Sequence, residues 1–284
     1  MFQNKKVENI IIKRTSIRNY SEKELDNSTI QQIRNIINQK IKTPFGSNPR
    51  FELINKKEFS GKVKLGTYGF ISGAQYFIVG ATVKNNNYLE DYGYALEQII
   101  LQLCDLEIGT CWLGGTFSRD NFAKTINLAE NEIIPAITPV GIAADKRSVK
   151  EKVIRALANA KNRKRSEDLF FLNDFETSLN KNAKPEYLKA LEMIRLAPSA
   201  ENFQPWRVIL TTDNIFHFFL QRKKIIKEAF SIDLQKIDLG IALCHFELYL
   251  QSIRHSTNWF TDDKTKIASF ENKEYIISAK IQNL

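Results

Sequence analysis

The same short pattern opens two long apolar segments of this chain. Asp91-Tyr92-Gly93-Tyr94-Ala95 begins the first segment, and Asp238-Leu239-Gly240-Ile241-Ala242 begins the second 147 positions later. The offset is kept downstream, where it aligns Thr110 with Thr257 and Trp112 with Trp259. A repeat that runs from a helix pattern into a strand pattern constrains the fold, because both copies are expected to have the same order of elements.

A second alignment lies upstream of each segment. Thr43-Pro44 precedes Ala197-Pro198 by 154 positions, and each pair stands between a helix pattern and a strand-like run. A fused repeat commonly replaces a homodimer, which has two identical sites at its interface. A fused chain is free to keep one such site and to lose the other.

Composition sets broad limits on the class of protein. A length of 284 residues allows one large or two ordinary domains. No apolar run reaches the roughly 18 to 20 residues that a membrane helix needs, and 1–6 lacks the apolar segment of a signal peptide. Neither the three cysteines nor the three histidines have metal-binding spacing, so no metal site is predicted. We expect a protein of the reducing cytoplasm that does not bind membranes.

The net charge of +9 has one local source. Nine basic residues lie between Lys146 and Arg165, and the run ends in Arg163-Lys164-Arg165. Two interpretations stay open, a solvated connector between the repeats and an anion site. Nucleic-acid binding would need a reader module or interleaved aromatic residues, which this stretch lacks. A small molecule that carries a phosphate is therefore favoured over a nucleic acid.

Hydrophobic periodicity predicts mixed helices and strands. Helices are predicted over 6–14, 26–40, 88–106, 186–196 and 234–253, and strands over 51–54, 75–83, 110–113, 133–140, 206–212, 215–220, 275–281 and near Trp259. The helices at 88–106 and 234–253 are apolar around most of their circumference and are expected to be buried. This order indicates an α+β sandwich with helices packed on a sheet, in two such layers side by side.

The first candidate site is a short turn after the first helix pattern, Arg14-Thr15-Ser16-Ile17-Arg18. Two forked guanidinium groups and a hydroxyl match the oxygens of a phosphate monoester. An ordinary surface turn is the alternative, because R-x-S-x-R alone is a common pattern.

Two loops carry groups suited to an aromatic ligand. Ala197-Pro198-Ser199-Ala200-Glu201-Asn202-Phe203-Gln204-Pro205-Trp206 groups polar side chains beside a hydrophobic strand, as a heteroaromatic ring with a polar chain would require. Cys111-Trp112-Leu113-Gly114-Gly115-Thr116-Phe117 places two glycines at a strand end, where they permit positive φ and close approach of backbone N–H groups to a ligand. A plain helix-to-strand connection and a plain Gly-Gly turn are the alternatives.

Together these motifs resemble the nitroreductase superfamily of FMN enzymes. The resemblance rests on R-x-S-x-R, A-P-S-A-x-N-x-Q-P-W, D-x-G-x-A followed by G-T-C-W-x-G-G, and Pro139-Val140-Gly141 at a strand end. It covers most of the chain in pieces and implies an α+β, nitroreductase-like three-layer sandwich. In that family an intertwined homodimer binds FMN across its interface. One subunit supplies the R-x-S-x-R turn, the glycine turn and a basic cluster, and the other supplies the P-S-x-x-N loop.

Each repeat of this chain matches a different half of that site. The first half is kept at Arg14, Ser16, Arg18, Gly114, Gly115, Arg163 and Arg165, and the second at Pro198, Ser199, Ala200, Asn202 and Gln204. The first repeat has only a shortened loop at 44–49, and the second has Thr261 and Asp262 at the glycine positions. The resemblance implies a fused, single-chain branch, a monomer whose tandem repeats (1–165 and 166–284) imitate the homodimer and retain one complete FMN site.

The activity that the resemblance implies is that of an FMN-dependent oxidoreductase. Hydride from NADH or NADPH would reduce the flavin at N5, and a nitroaromatic, a quinone or a similar small molecule would accept the electrons. The arginines and Ser16 would hold the phosphate, the glycine N–H groups would face the ring, and the P-S-x-x-N loop would bind the ribityl chain or the pyrimidine edge. No catalytic side chain is implied, because the acceptor can take its proton from water. A flavin-binding protein for storage or sensing, and a basic scaffold without flavin, stay as alternatives.

Overall fold

The chain divides into two compact units in a computed structural model that describes residues 6–61, 63–144, 162–179, 183–222, 232–267 and 272–283. Unit 1 comprises Met1–Lys5 and Lys13–Ala158, and unit 2 comprises Lys6–Ile12 and Asn159–Leu284. The predicted repeats divide the chain between residues 165 and 166. The structure therefore differs from that division at the first helix and at 159–165, which both belong to unit 2.

Unit 1 has one antiparallel sheet whose strand order is β1-β2-β5-β3, with β4 paired to β2. Its elements are α2 (Asn27–Ile37), β1 (Arg50–Asn55), β2 (Tyr76–Val83), α3 (Tyr88–Asp105), β3 (Gly109–Thr110), α4 (Arg119–Ala123), β4 (Glu132–Ile133) and β5 (Ile137–Gly141). The strand predicted as central, at 75–83, is β2 and pairs with three others because both of its faces are apolar.

Unit 2 has a sheet with the order β6-β7-β8-β10-β9, in which only β6 pairs in parallel, with β7. Its elements are α1 (Val7–Lys13, whose last residue belongs to unit 1), β6 (Phe170–Leu172), α5 (Pro185–Leu196), β7 (Trp206–Leu210), β8 (Ile215–Gln221), α6 (Leu234–Ser252), β9 (His255–Phe260), α7 (Asp263–Ile267) and β10 (Lys273–Asn283).

The two units share one order of elements. The series α2-β1-β2-α3-β3-β5 in unit 1 corresponds to α5-β7-β8-α6-β9-β10 in unit 2. The strand order is also the same, because β1-β2-β5-β3 corresponds to β7-β8-β10-β9. The mixed helices and sheets confirm the predicted α+β class.

Helices α3 and α6 are buried along almost their whole length. Both are apolar around the helix, as predicted, so each is covered on all sides. Their few acidic residues are consequently removed from water and need hydrogen-bond donors from the protein. No helix in the described ranges is long and apolar enough to cross a bilayer.

Several boundaries differ from the prediction. The strand predicted over 133–140 is two strands, β4 and β5, because Pro135 between them lacks the N–H group that a continuous ladder needs. The strand predicted over 110–113 is shorter, and Leu113 forms only an isolated bridge with Ile137. The short elements β6, α4 and α7 were not predicted, because so few residues carry no periodic signal.

Gly73 allows the chain to approach itself closely in unit 1. Its φ is +79°, and a Cβ atom there would lie 2.0 Å from the carbonyl oxygen of Tyr20. Gly61 has a nearly equal φ of +77°, but a Cβ atom there would have no neighbour within 4 Å. The two glycines share the same backbone requirement and differ only in the space around them.

We expect Gly73→Ala to destabilise the protein much more than Gly61→Ala. The Gly61 variant should lose about 1 to 2 kcal/mol of unfolding free energy, from the left-handed backbone alone. The Gly73 variant should lose at least about 3 kcal/mol, because Tyr20 must also move. Chemical denaturation of both variants measures the difference, and equal losses would show that Gly73 is required only for its φ.

Candidate functional site

The aspartate of each D-x-G-x-A pattern binds the backbone of the loop that follows the preceding helix. In unit 1, Asp91 accepts hydrogen bonds from the N–H groups of Phe45 (2.9 Å) and Ser47 (2.7 Å). In unit 2, Asp238 accepts one from the N–H group of Ala200 (2.9 Å). The two copies of the pattern therefore perform the same local task, which fixes the loop against the buried helix.

The loop in unit 2 has an unusual backbone. Glu201, Asn202 and Gln204 have positive φ values of 52°, 56° and 53°, a conformation that side chains other than glycine seldom adopt. The hydroxyl oxygen of Ser199 accepts a hydrogen bond from the N–H group of Gln204 (2.9 Å) and closes the turn. Arg207 donates to the carbonyl oxygen of Gln204 (3.1 Å), and burial lowers the pKa of Arg207 to about 10. The strained loop is thus held at both ends.

The amide side chains of this loop bind the segment 162–164. The Asn202 Oδ1 atom accepts a hydrogen bond from Arg163 Nη1, and Asn202 Nδ2 donates to the carbonyl oxygen of Asn162 (2.6 Å). Gln204 Oε1 accepts from the N–H group of Lys164 (2.9 Å). Two groups that were predicted separately, the basic cluster and the P-S-x-x-N loop, are therefore in direct contact within unit 2.

Arg165 does not join these contacts. Its guanidinium group is exposed and forms an ion pair with Asp168 at 3.2 Å, and this hydrogen-bonded partner raises the pKa of Arg165. The structure therefore separates Arg165 from Arg163, which is bound to the loop.

The asparagine of the corresponding loop in unit 1 has no comparable set of contacts among the described residues. Asn48 is exposed, and its side chain donates a local hydrogen bond to the carbonyl oxygen of Gly46 (3.3 Å). Gly46 has a φ of +86° and forms the turn that shortens the loop. The two asparagines thus have different surroundings, although both follow the proline of their loop.

The R-x-S-x-R turn is joined to β3 of unit 1. Ser16 forms a parallel bridge with Thr110, and the N–H group of Ile17 donates to the carbonyl oxygen of Thr110 (2.8 Å). Within the described residues, the Ser16 hydroxyl and the Arg18 guanidinium form no hydrogen bond or ion pair. These polar groups are therefore available to a ligand.

Arg14 and a buried glutamate connect this turn to the glycine turn. Arg14 Nε lies 3.8 Å from Oε1 of Glu97, a fully buried residue of α3, and the other oxygen of Glu97 accepts from Trp112 Nε1 (2.6 Å). The Arg14 Nε atom is itself buried and has no acceptor among the described residues. Glu97 thus holds one residue of the predicted phosphate turn and one residue of the strand that leads to the glycines.

The glycine turn is anchored by Arg119. Arg119 donates to the carbonyl oxygens of Gly114 (2.9 Å) and Ile134 (2.8 Å) and lies over the Phe117 ring, which is part of the core. Neither Gly114 nor Gly115 has positive φ. Their N–H groups donate to no atom in the described parts of the chain. The glycines therefore provide two N–H donors without an acceptor in the described chain, and neither has the positive φ that glycine permits.

The equivalent position in unit 2 is filled by polar side chains. Asp262 accepts a hydrogen bond from the Thr265 hydroxyl (3.0 Å), and its N–H group donates to Tyr275 Oη (2.8 Å). The tryptophan contact is kept, because Trp259 Nε1 donates to Glu247 of α6 (2.8 Å). Unit 2 thus has the same tryptophan–glutamate support and a different turn.

Three supporting residues were missed by the sequence analysis. Glu97 and Glu247 could have been found, since an acidic residue within a helix that is apolar all round needs a donor. Arg119 gave no such signal, because it lies in a short helix without a periodic pattern.

Among the histidines, His245 is buried and hydrogen-bonded to the Met193 carbonyl oxygen. No group of side chains that could hold a metal ion occurs in the described residues.

The fold and the two sets of motif positions are those of an α+β protein of nitroreductase type. Residues 6–250 match the family model described as "Putative TM nitroreductase". The chain therefore belongs to this nitroreductase family.

A solved structure with a TM-score above 0.5 has the same fold, and two further nitroreductase structures are similar to about half of the chain. A Thermotoga maritima protein described as a "putative nitroreductase (tm1586)" is 20% identical, covers 98% of this chain and 95% of its own, and has a TM-score of 0.59. An FMN-dependent nitroreductase from Clostridium difficile R20291 (19% identity, 49% of this chain, 88% of its own) has a TM-score of 0.39. A nitroreductase with bound FMN from Desulfitobacterium hafniense (17% identity, 51% of this chain, 93% of its own) has a TM-score of 0.40. No curated protein matches the chain.

Asp238 and Asp91 should respond differently to replacement by asparagine. Burial raises the pKa of Asp238 well above its ordinary value, so the folded protein keeps a proton that the unfolded chain releases near pH 4. Stability should consequently fall as pH rises toward the raised pKa. Asp238→Asn stays neutral and should remove this decline. Burial also raises the pKa of Asp91, but Asp91→Asn loses one of two acceptors for backbone N–H groups and should therefore cost about 1 to 3 kcal/mol, most clearly at the lower end of the pH range.

Urea unfolding of the three proteins between about pH 5 and pH 8 measures both effects. The unfolding free energy of Asp238→Asn minus that of the unmodified protein should increase with pH. A variant that is most destabilised at the highest pH would instead show that Asp238 is ionised and that its charge stabilises the loop.

Proposed function

We propose that this protein is an FMN-dependent oxidoreductase of nitroreductase type. Family membership supports the general class. The observation that carries the proposal is the R-x-S-x-R turn, where Arg14 has a buried N–H group without an acceptor and where Ser16 and Arg18 have polar groups without a partner in the described chain. The Ser16 hydroxyl and the Arg18 guanidinium would fit an anion, and the Arg14 guanidinium lies beside them with the Glu97 carboxylate 3.8 Å from its Nε atom.

The phosphate of FMN fits these donors. A phosphate monoester presents several acceptor oxygens, and guanidinium groups bind them with charge-assisted hydrogen bonds. A buried donor without an acceptor costs free energy, so a ligand that supplies the acceptor stabilises the site. Arg14 would also bring its positive charge next to the phosphate, because Glu97 holds the Arg14 side chain in place.

The glycine turn fits the polar edge of a flavin ring. The N–H groups of Gly114 and Gly115 have no acceptor in the described chain, and Arg119 fixes the turn from the other side through the Gly114 carbonyl group. Two adjacent glycines leave room for a ring to approach the backbone. We propose that these N–H groups bind the ring.

The loop of unit 2 supplies the remaining proposed contacts. On the sequence resemblance, the same FMN takes groups from Pro198, Ser199, Ala200, Asn202 and Gln204, with Arg163 and Arg165 toward its phosphate. Because Arg163 is bound to Asn202, we propose that the two act as one recognition unit.

Three free cysteines support a reducing cytoplasm. The shared order of elements supports a monomer whose repeats, 1–165 and 166–284, imitate a dimer.

The chemistry follows from the cofactor, and the chain binds and orients it. A bound FMN would supply the redox chemistry, which is hydride transfer from NADH or NADPH and electron transfer to an electron-poor acceptor such as a nitroaromatic or a quinone. The arginines hold the phosphate, and the glycine N–H groups fix the ring edge. We assign no proton transfer to a side chain.

We expect Arg14→Ala to weaken FMN binding about 10- to 150-fold, since one charge-assisted hydrogen-bonding partner is worth about 1.5 to 3 kcal/mol. Riboflavin lacks the phosphate, so its affinity should change little. Equilibrium titration of the apo-protein with each flavin measures both values. Arg34→Ala is the matched control, because it removes the same charge from an exposed position on α2.

Equal losses for the two flavins would show that the turn does not bind the phosphate. If Arg34→Ala loses as much FMN affinity as Arg14→Ala, the loss comes from the lower net charge of the protein and not from the R-x-S-x-R turn. If the unmodified protein binds neither flavin, the proposed function is wrong.

A further inference from the structure

One buried carboxylate lies between the two proposed flavin-binding turns of unit 1. Glu97 is fully buried on α3. Its Oε2 atom accepts a hydrogen bond from Trp112 Nε1 at 2.6 Å, and its Oε1 atom lies 3.8 Å from Arg14 Nε. Trp112 stands two residues before Gly114, and Arg14 begins the R-x-S-x-R turn. The same side chain therefore has one neighbour in the R-x-S-x-R turn and one beside the glycine turn.

The contact between Arg14 and Glu97 is an ion pair in which Nε makes no hydrogen bond. A distance of 3.8 Å exceeds hydrogen-bonding length, and Arg14 Nε has no acceptor among the described residues although its side chain is only 7% exposed. A buried N–H group is stabilised when it obtains an acceptor. Arg14 can obtain one by a small movement toward Glu97 or toward an anion at the turn. Phosphate at the turn therefore competes with Glu97 for this guanidinium group.

The second contact of Glu97 responds to that competition. A carboxylate removed from water depends on the few donors around it. When Arg14 turns toward an anion, the charge of Glu97 is left more to the Trp112 N–H group, and hydrogen bonds to a full charge are short and strong. Trp112 is followed by Leu113, whose N–H and carbonyl groups both pair with Ile137 at 3.0 Å. A firmer hold on Trp112 therefore reaches the glycine turn through backbone that is already fixed to β5.

Unit 2 has a tryptophan–glutamate contact in a different setting. Glu247 of α6 accepts a hydrogen bond from Trp259 Nε1 at 2.8 Å. The R-x-S-x-R turn belongs to unit 1, and the turn after Trp259 contains Asp262 at a glycine position. The contact of Glu247 thus supports a unit that has neither of the two turns, and Glu247 provides a matched comparison for Glu97.

We propose that Glu97 couples the two turns, so that an anion held by Arg14 favours the binding of a flavin ring at Gly114 and Gly115. This inference rests on the proposed function, because it describes the regulation of the same site. Glu97 acts through Arg14 and Trp112 and is therefore a positioning residue. Coupling between two sites is reciprocal, so a bound ring raises the affinity of the R-x-S-x-R turn for the anion by the same factor.

The test uses riboflavin and inorganic phosphate as the two halves of FMN. Riboflavin is titrated into the apo-protein with and without saturating phosphate, at an ionic strength kept constant with chloride. Phosphate should lower the Kd of riboflavin about 5-fold, the lower end of ordinary coupling. Glu97→Gln keeps an acceptor for the Trp112 N–H group but loses the charge, and should bring this factor close to one. Glu247→Gln, the same change in unit 2, should leave the factor as it is.

A second measurement needs no flavin. The indole N–H resonances of the three tryptophans are followed by NMR as phosphate is added, and Trp112→Phe identifies the resonance of Trp112. A stronger hydrogen bond to Glu97 should move this resonance downfield, whereas the other two resonances should stay in place. The movement should be absent in Arg14→Ala, because the link from the anion to Glu97 is then missing.

Trp112→Phe also removes the other end of the link, and it should lose the coupling between phosphate and riboflavin even if Glu97→Gln does not fold. The proposal is wrong if phosphate leaves the riboflavin Kd unchanged or raises it, or if the factor survives in either of these two variants. A Trp112 resonance that does not move at saturating phosphate overturns it as well. Failure of the unmodified protein to bind FMN and riboflavin overturns the proposed function and the coupling with it, whereas the other results overturn the coupling alone.

Discussion

A buried aspartate near the start of each long helix is the constraint on which each unit depends. An aspartate removed from water needs hydrogen bonds, and in both units it accepts them from backbone N–H groups of the preceding loop. The loop is therefore fixed to the helix, and the strand that follows the loop begins at a defined place. Further along each helix, a glutamate accepts a hydrogen bond from the indole N–H group of a tryptophan. Glu97 accepts from Trp112 in unit 1, and Glu247 accepts from Trp259 in unit 2. The helices thus determine where both candidate loops and the turn after the tryptophan lie.

The two units use this shared framework differently. In unit 2 the loop is strained and its amides bind Arg163 and the 162–164 backbone, whereas in unit 1 the loop is short and Asn48 is exposed. The turn after the tryptophan shows the reverse. Unit 1 has glycines whose N–H groups donate to no described residue, and unit 2 has Asp262 with its own hydrogen-bond partners. Under the proposed function, the R-x-S-x-R and glycine turns of unit 1 and the P-S-x-x-N loop of unit 2 would be the flavin-binding groups.

Much of this could be predicted from the sequence, because the strongest signals are local. Helices α3 and α6 follow from long apolar patterns, and the repeat follows from the constant offset between Asp91 and Asp238. The loop at 197–206 could be located because proline ends a helix there. The contacts of Arg163 with Asn202 and of Arg119 with Gly114 could not be predicted. They join residues through tertiary packing, and neither arginine differs in sequence from an ordinary surface arginine.

The proposed function implies that one chain binds one FMN, because each proposed set of binding groups occurs once in the chain. The most direct test is to saturate the apo-protein with FMN, remove the excess, release the bound flavin and quantify it against the protein concentration. The account predicts one FMN per chain. Two FMN per chain would show that the second copies of the loop and turn still bind flavin, and none would contradict the assignment of the protein to flavin chemistry.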